Sequence, residues 1–205
     1  MPLQRSAVAV VIVGLALAAT AGAAPASCAP AAAKTLRASG AARIYSKGSV
    51  LYGCLGARRT RLGTLRGTVP FPAARIVLYA LSGGYAGTDT VQMGVDTFGS
   101  TVSLVDLRTG ATLATAPATT PERRAESFIT VTSMAVNATG TLAWVGRRSA
   151  IGVSSPTYEL HALTAGHNVV VSVGTIPLVA LRLGEKRLSW REGSGGPDES
   201  VPLPL

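Results

Sequence analysis

The chain has 205 residues, with 19 Lys and Arg against 10 Asp and Glu for a net charge of +9, and only two cysteines and two histidines. Aromatic residues make up 5%, too few for the interleaved basic and aromatic groove of a single-strand nucleic-acid binder, so no nucleic-acid partner is expected. With Cys28 and Cys54 paired, His161 and His167 leave no His/Cys metal set, and no cofactor is implied.

Met1 to Arg5 ends in a lone positive charge, and an uncharged run follows from Ala7 to Ala24 with its apolar centre at Val8 to Leu17. The run thins into Thr20-Ala21-Gly22-Ala23-Ala24. A basic start, a short apolar core and a small-residue end mark a secretory signal peptide, here residues 1–24, cut near Ala23 or Ala24. An uncleaved membrane anchor is the alternative, because about 18 residues is the lower limit for a span. Export implies a secreted protein or one on the exterior of the cell envelope. The remaining chain, about 180 residues, suffices for one domain with a sizeable core.

Residues 25–41 are Ala-rich with few large apolar groups and read as a tether. Cys28 lies in it and Cys54 beyond it. An exported pair of cysteines is expected to form a disulfide. The rival reading makes Cys28 a lipid-modified anchor, although Pro25 stands where a bacterial lipobox wants an aliphatic residue.

Residues 42–205 read as a single all-β domain. Runs of four to eight β-branched and aromatic residues alternate with Gly, Pro, Ser and Thr, the pattern of short strands. Alternation is plain in Thr157 to Leu163 and in Thr101 to Val105, and no segment keeps a capped helical period. About 12 strands are expected after Ala41. Hairpin turns are predicted at Ser46-Lys47-Gly48, at Asp106 to Gly110 and at Thr164-Ala165-Gly166, where a glycine near the end supplies positive φ. The longest irregular stretch is expected from Ser82 to Ser100. Antiparallel meanders are the economical fold, with a β-sandwich as the alternative.

Charge is distributed unevenly. The exported chain before Asp89 holds Lys34, Arg37, Arg43, Lys47, Arg58, Arg59, Arg61, Arg66 and Arg75 and no acid, whereas the nine bases and ten acids from Asp89 onward nearly cancel. Such asymmetry points to an anionic partner, which outside the cytoplasm means an envelope polymer or a lipid surface. The densest cluster is Arg58-Arg59-Thr60-Arg61 with Arg66 beyond. A second candidate site combines Tyr85, Asp89, Asp96 and Phe98 in the expected long loop, where two acids and two aromatics suit a sugar or a cation. Asp89, Asp96 or His161 would carry the reaction if the protein were a small secreted hydrolase. His161 shares a strand face with Glu159, a pairing more often found on a solvated face. Asn137-Ala138-Thr139 matches a glycosylation sequon and is read as a structural turn.

Four strands carry aliphatic-x-aromatic: Val50-Leu51-Tyr52, Val77-Leu78-Tyr79, Leu142-Ala143-Trp144 and Leu188-Ser189-Trp190, with aromatic spacings of 27, 65 and 46. Asp106-Leu107-Arg108-Thr109-Gly110 matches a turn between the third and fourth strands of a propeller blade, and Asn137-Ala138-Thr139-Gly140 resembles the turn between the first and second. Over residues 42–202 the chain resembles WD-repeat-like and TolB-like β-propellers. The resemblance implies blade-like antiparallel meanders forming a small or partial propeller. It also implies open sheet edges through which the chain assembles, or a structural envelope role built on such assembly. The main functional expectation is a non-catalytic exported binding module.

Overall fold

The computed structural model describes residues 28–66, 73–93, 98–121, 127–150, 152–164 and 167–203. The expected signal, 1–24, lies outside them. Among the described residues every regular element is a strand: β1 (Lys34–Ser39), β2 (Ala42–Lys47), β3 (Val50–Leu55), β4 (Arg58–Thr64), β5 (Ala73–Ser82), β6 (Tyr85–Met93), β7 (Phe98–Asp106) and β8 (Ala111–Pro117), then β9 (Ser127–Val136), β10 (Leu142–Ala150), β11 (Thr157–Thr164), β12 (His167–Gly174), β13 (Leu178–Leu183), β14 (Arg187–Glu192) and β15 (Asp198–Pro202).

The strands form three sheets, and nearly all neighbours are antiparallel. The first is β1-β2-β3-β4 and the last is β13-β14-β15. The large middle sheet joins two consecutive meanders, β5 to β8 and β9 to β12, through a single parallel bridge, Phe98 with Phe128. The described residues therefore form four successive meanders of four, four, four and three strands.

Their packing follows chain order. β1, β2 and β4 lie against β5, β5 lies against β9, and β9 against β13; no comparable packing returns from β13 to β1. Three cores result. Ile44, Leu51, Ile76, Ala86 and Leu107 fill the first junction. Val102, Leu104, Leu142, Trp144 and Leu163 fill the second. Tyr158, Leu160, Leu188, Trp190 and Leu203 fill the third. A two-layer sandwich would share one core between its sheets; here each core separates one meander from the next.

Alternation explains why both faces of the inner meanders are apolar. On β11, Tyr158, Leu160 and Ala162 enter the third core while Leu163 enters the second, as the period of two requires. The turns form where local chemistry specifies them. At the β7–β8 turn, the Asp106 carboxylate accepts from Arg108 N at 2.8 Å, Gly110 N donates to Asp106 O at 2.7 Å, and Gly110 takes φ +78°.

Cys28 and Cys54 are bonded, with Cα atoms 5.9 Å apart. Cys54 sits on β3 opposite Arg43, so the bridge lays the chain before β1 across the outer face of the first sheet, over Tyr45 and Tyr52. The sulfur that a lipid anchor would need is consumed in this bond.

Three expectations are corrected. The segment read as a tether, 25–41, contains β1, which pairs with β2 from Lys34–Ser46 to Ser39–Ala42. Its only large apolar residue, Leu36, falls at a bulge, so the backbone ladder holds the strand and no alternation announces it. The stretch from Ser82 to Ser100 is not a long loop, because Gly83 and Gly84 turn the chain straight into β6. β6 (YAGTDTVQM) turns Thr88 and Asp89 inward, which hides its pattern. Finally, strands after Ala41 number fourteen among the described residues, and of the four repeated aromatics only Trp144 and Trp190 are equivalent. Each lies on the second strand of its meander and packs towards the meander before it.

Candidate functional site

The basic half is the first sheet. β4 alternates, so Arg59 and Arg61 stand directly opposite Cys54 and Tyr52 and share the outer face. That face carries the Tyr45–Tyr52 pair, stacked at 5.4 Å and 15°, with Arg43 beside it. Arg58 points the other way, where its Nη1 donates to Thr109 O in the β7–β8 turn at 2.9 Å. Arg66 follows the end of β4, exposed. The four-arginine cluster is thus split by the pleat, and only part of it acts from one side.

What the first sheet does form is a cleft where β4 crosses β5. Arg61, Leu62, Gly63 and Thr64 of β4, Ala74, Arg75 and Ile76 of β5, and Thr90 of β6 line about 330 Å³. Two features bring the strands close. Thr64 Oγ1 donates to Ala74 O at 3.0 Å, and Gly63 carries no Cβ, which would lie 2.7 Å from Ile76 Cδ1. Both arginines are exposed, and among the described residues no carboxylate lines the cleft. Among the described residues neither arginine has an ion-pair partner; Arg61 stands opposite Tyr52 and Arg75 opposite Val91, so by alternation both border the cleft while Leu62, Ile76 and Thr90 face it. Arg75, Thr64 and Thr90 were not legible as site residues. Arg75 was visible only as one of nine bases, and its placement beside Arg61 comes from the docking of two sheets.

The second candidate site does not assemble. Tyr85 and Asp89 lie on one face of β6 but are separated by four residues, about 13 Å along a strand. Tyr85 belongs to the β7–β8 turn, where Arg108 lies over its ring at 4.5 Å and donates to its hydroxyl. Arg108 also donates to Asp106 at 2.9 Å, and this bond holds the Asp106 carboxyl below the usual carboxylate range. Asp89 is wholly buried; Ser100 Oγ donates to its Oδ1, while Oδ2 has no partner. Burial pushes its pKa up to about 6. Phe98 packs on Phe128 at 6.1 Å, at the strand end remote from Tyr85. Asp96 lies outside the described residues.

Glu159 and His161 are not on a solvated face. β11 is covered on both sides, and the pair sits in a closed polar network. Glu159 Oε2 accepts from Thr120 N at 2.7 Å, Thr120 Oγ1 at 2.8 Å and His161 Nε2 at 3.0 Å, and Oε1 accepts from Arg148 Nη2 at 2.9 Å. His161 Nδ1 meets Asn168 Oδ1 at 3.2 Å, and its ring stacks on Trp144 at 4.9 Å and 4°. Despite burial, the Glu159 carboxyl is held below its ordinary pKa by the Thr120 bonds, then Arg148 and His161. Trp144 Nε1 donates to Ala118 O at 2.8 Å, and Gly146 leaves room for that same carbonyl. The network therefore clamps the segment after β8 onto the next meander and has no opening for a substrate. Asn137 is likewise structural. It is buried, its Oδ1 accepts from Thr141 N at 2.8 Å, and its Nδ2 donates to Gly184 O at 2.9 Å.

Among the described residues no three His, Cys, Asp or Glu side chains gather as metal ligands. No family model, no curated protein and no solved structure matches the chain.

Proposed function

We propose that the protein is an exported, non-catalytic binding module that holds the anionic groups of an envelope polymer through its first sheet and the cleft beside it. The observation that carries this reading is the cleft between the first two sheets, bordered by Arg61 and Arg75 and lined by no carboxylate among the described residues. Arg43, Arg59 and Lys47 extend the positive field over the outer face. A phosphodiester or carboxylate suits two guanidinium groups. A polymer is favoured over a bilayer because none of the large exposed apolar side chains lies on β1 to β4; the face has charge but nothing to insert. The disulfide is what an oxidising compartment would produce, which supports export and the signal at 1–24. The meanders support a reading as blades of an open propeller, with β1, β5, β9 and β13 as the inner strands. The hydrolase alternative gains nothing from Asp89 and His161, both sealed from solvent.

The test is binding to inorganic polyphosphate, to phosphatidylglycerol vesicles and to phosphatidylcholine vesicles at two salt concentrations. Polyphosphate should be bound at low salt and released at high salt, because exposed charges are screened within about 10 Å at 0.1 M. Replacing Arg61 and Arg75 by Gln removes two exposed contacts worth about 0.5–1 kcal/mol each, a loss of roughly 5- to 30-fold in affinity. Equal retention by the double variant would overturn the site. Preferential binding to phosphatidylglycerol vesicles would replace the polymer by a lipid headgroup.

A further inference from the structure

The outer edge of each meander is a strand whose backbone donors and acceptors face solvent, and such edges invite another strand. Three of the four are blunted. β4 carries Arg58, Arg59 and Arg61, and β15 carries Asp198, Glu199 and Pro202. β8 ends on Pro117 and shows one large exposed apolar side chain, Leu113. β12 (HNVVVSVG) has no Lys, Arg, Asp or Glu and no proline. Val169, Val170 and Val173 are exposed on it by 40%, 41% and 61%. Cross-strand register shows that both of its faces are apolar at this edge: Val170 and Val173 stand opposite His161 and Glu159, while Val169 stands opposite Ala162. β12 pairs only with β11, and among the described residues no other backbone hydrogen bond reaches it.

We propose that β12 is the assembly edge of this protein and that its occupant is the β12 of a second copy, running antiparallel across a two-fold axis. Backbone complementarity requires the occupant to be an extended strand. An antiparallel pairing of identical strands is isologous and closes after two copies. It sets valines against valines, with no like charges opposed. Charge distribution along the chain selects this end for self-contact. The nine unbalanced bases before Asp89 include the first sheet, whereas the bases and acids from Asp89 onward nearly cancel, and β12 belongs to the third meander. Two first sheets would repel each other; two β12 edges do not. One strand pair buries less than the roughly 1,200–2,000 Å² of a stable interface, so the dimer is a weak one that forms at high local concentration.

The experiment is sedimentation equilibrium of the chain as the cell processes it, from about 5 µM to about 1 mM, the range in which weak dimers dissociate. Mass should rise from one copy towards two, and hydrogen exchange should show β12 amides becoming protected over the same range. Val170→Lys with Val173→Lys brings four like charges together at the two-fold axis. It should weaken association at least tenfold while leaving the circular dichroism spectrum and melting temperature unchanged, since both positions are exposed. Single-copy mass throughout the range would overturn the proposal. So would equal association by the folded double-lysine variant, and so would β12 protection independent of concentration.

Discussion

Replacing Glu159 by Gln should destabilise the protein by about 3 kcal/mol, because no orientation of an amide satisfies the site. Both carboxylate oxygens accept: Oε1 from Arg148, and Oε2 from Thr120 twice and from His161. An amide offers one acceptor and one donor group. Turned with its nitrogen towards Arg148, it sets donor against donor and removes the countercharge from a guanidinium only 7% exposed. Turned the other way, it opposes both Thr120 donors. Losing half of a buried ion pair costs about 3–5 kcal/mol, and the lower end applies because Arg148 keeps a bond to Thr120 O. Urea denaturation followed by Trp144 fluorescence measures it, since His161 stacks on that indole. With an m-value near 2–3 kcal/mol/M, the midpoint should fall by about 1–1.5 M. Adding Arg148→Met removes the buried charge that faced Glu159 and should recover about 1–2 kcal/mol of the loss. A loss below about 1 kcal/mol for the single variant, or strict additivity of the two substitutions, would refute the account of the network as a coupled clamp.

Asp89 and Glu159 titrate in opposite senses. The Asp89 pKa is raised from 3.8 to about 6 by burial, so the folded state favours its protonated form, and stability is lost as pH rises from about 4 through 6. Asp89→Asn should therefore stabilise at pH 7 by about 1–3 kcal/mol and be nearly neutral at pH 4; equal effects at both would count against a buried ionising carboxyl. The Glu159 pKa is lowered from 4.5, so its contribution is full above about 4.5 and is lost as pH falls below, which places maximal stability from these two groups where their windows meet, at about pH 4–5, checked by thermal melts from pH 3 to 8. Removing the disulfide with Cys28→Ser and Cys54→Ser should cost about 3–4 kcal/mol by the chain-entropy argument for a loop of this length, read by the same denaturation; an unchanged midpoint would show that the first residues are held without it. Ala180 adopts φ +54° at a bulge in β13, so Ala180→Gly should be neutral or stabilising by up to about 1 kcal/mol, whereas the same change at Ala38 in β1 should cost about 0.5–1 kcal/mol; a loss at position 180 would contradict that backbone.

The all-β class and the hairpin turns at 46–48 and 106–110 were legible because each is written locally; Ala165 and Gly166 of the third expected turn lie outside the described residues. Asp106 and Gly110 specify their turn by a side-chain acceptor and a positive φ, and the strands around Leu104 and Leu160 alternate in plain view. β1 was not legible, because Leu36 alone provides no period and pairing to β2 supplies the rest. β6 was misread as loop because Thr88 and Asp89 occupy positions where an apolar residue announces a strand. The aromatic repeat misled for a related reason. Tyr52 and Tyr79 satisfy the pattern from strands that are not equivalent, and only Trp144 and Trp190 mark the repeat. Of the site, the excess of bases was countable in advance, but the cleft was not. Sequence clustering favoured Arg58 with its neighbours, and the pleat sends Arg58 to Thr109 O; sheet docking instead joins Arg61 to Arg75, fourteen positions away.

The end faces of the four described meanders differ from the inner ones. An inner meander needs apolar residues on both faces, as β11 has. The outer face of the first sheet instead carries Arg43, Arg59 and Arg61 over the Tyr45–Tyr52 pair, with the Cys28 bridge lying across it. The outer face of the last sheet carries Arg187, Ser189 and Arg191 opposite Pro202, Ser200 and Asp198, with Arg191 paired to Asp198 at 2.9 Å. Neither face would bury well against another sheet, because desolvating that many arginines is expensive. Docking the first sheet on the last would meet the same penalty. Growth is left to the edges, and of those β12 alone is uncharged and rich in exposed valine. A dimer through β12 leaves both first sheets free and puts two basic clefts in one particle. An anionic polymer able to span them would then be held by two weak contacts at once, and its affinity would rise with protein concentration in step with β12 pairing. The double-lysine variant separates the two effects: it should retain the single-site affinity for a short anion and lose the gain seen with a long polymer.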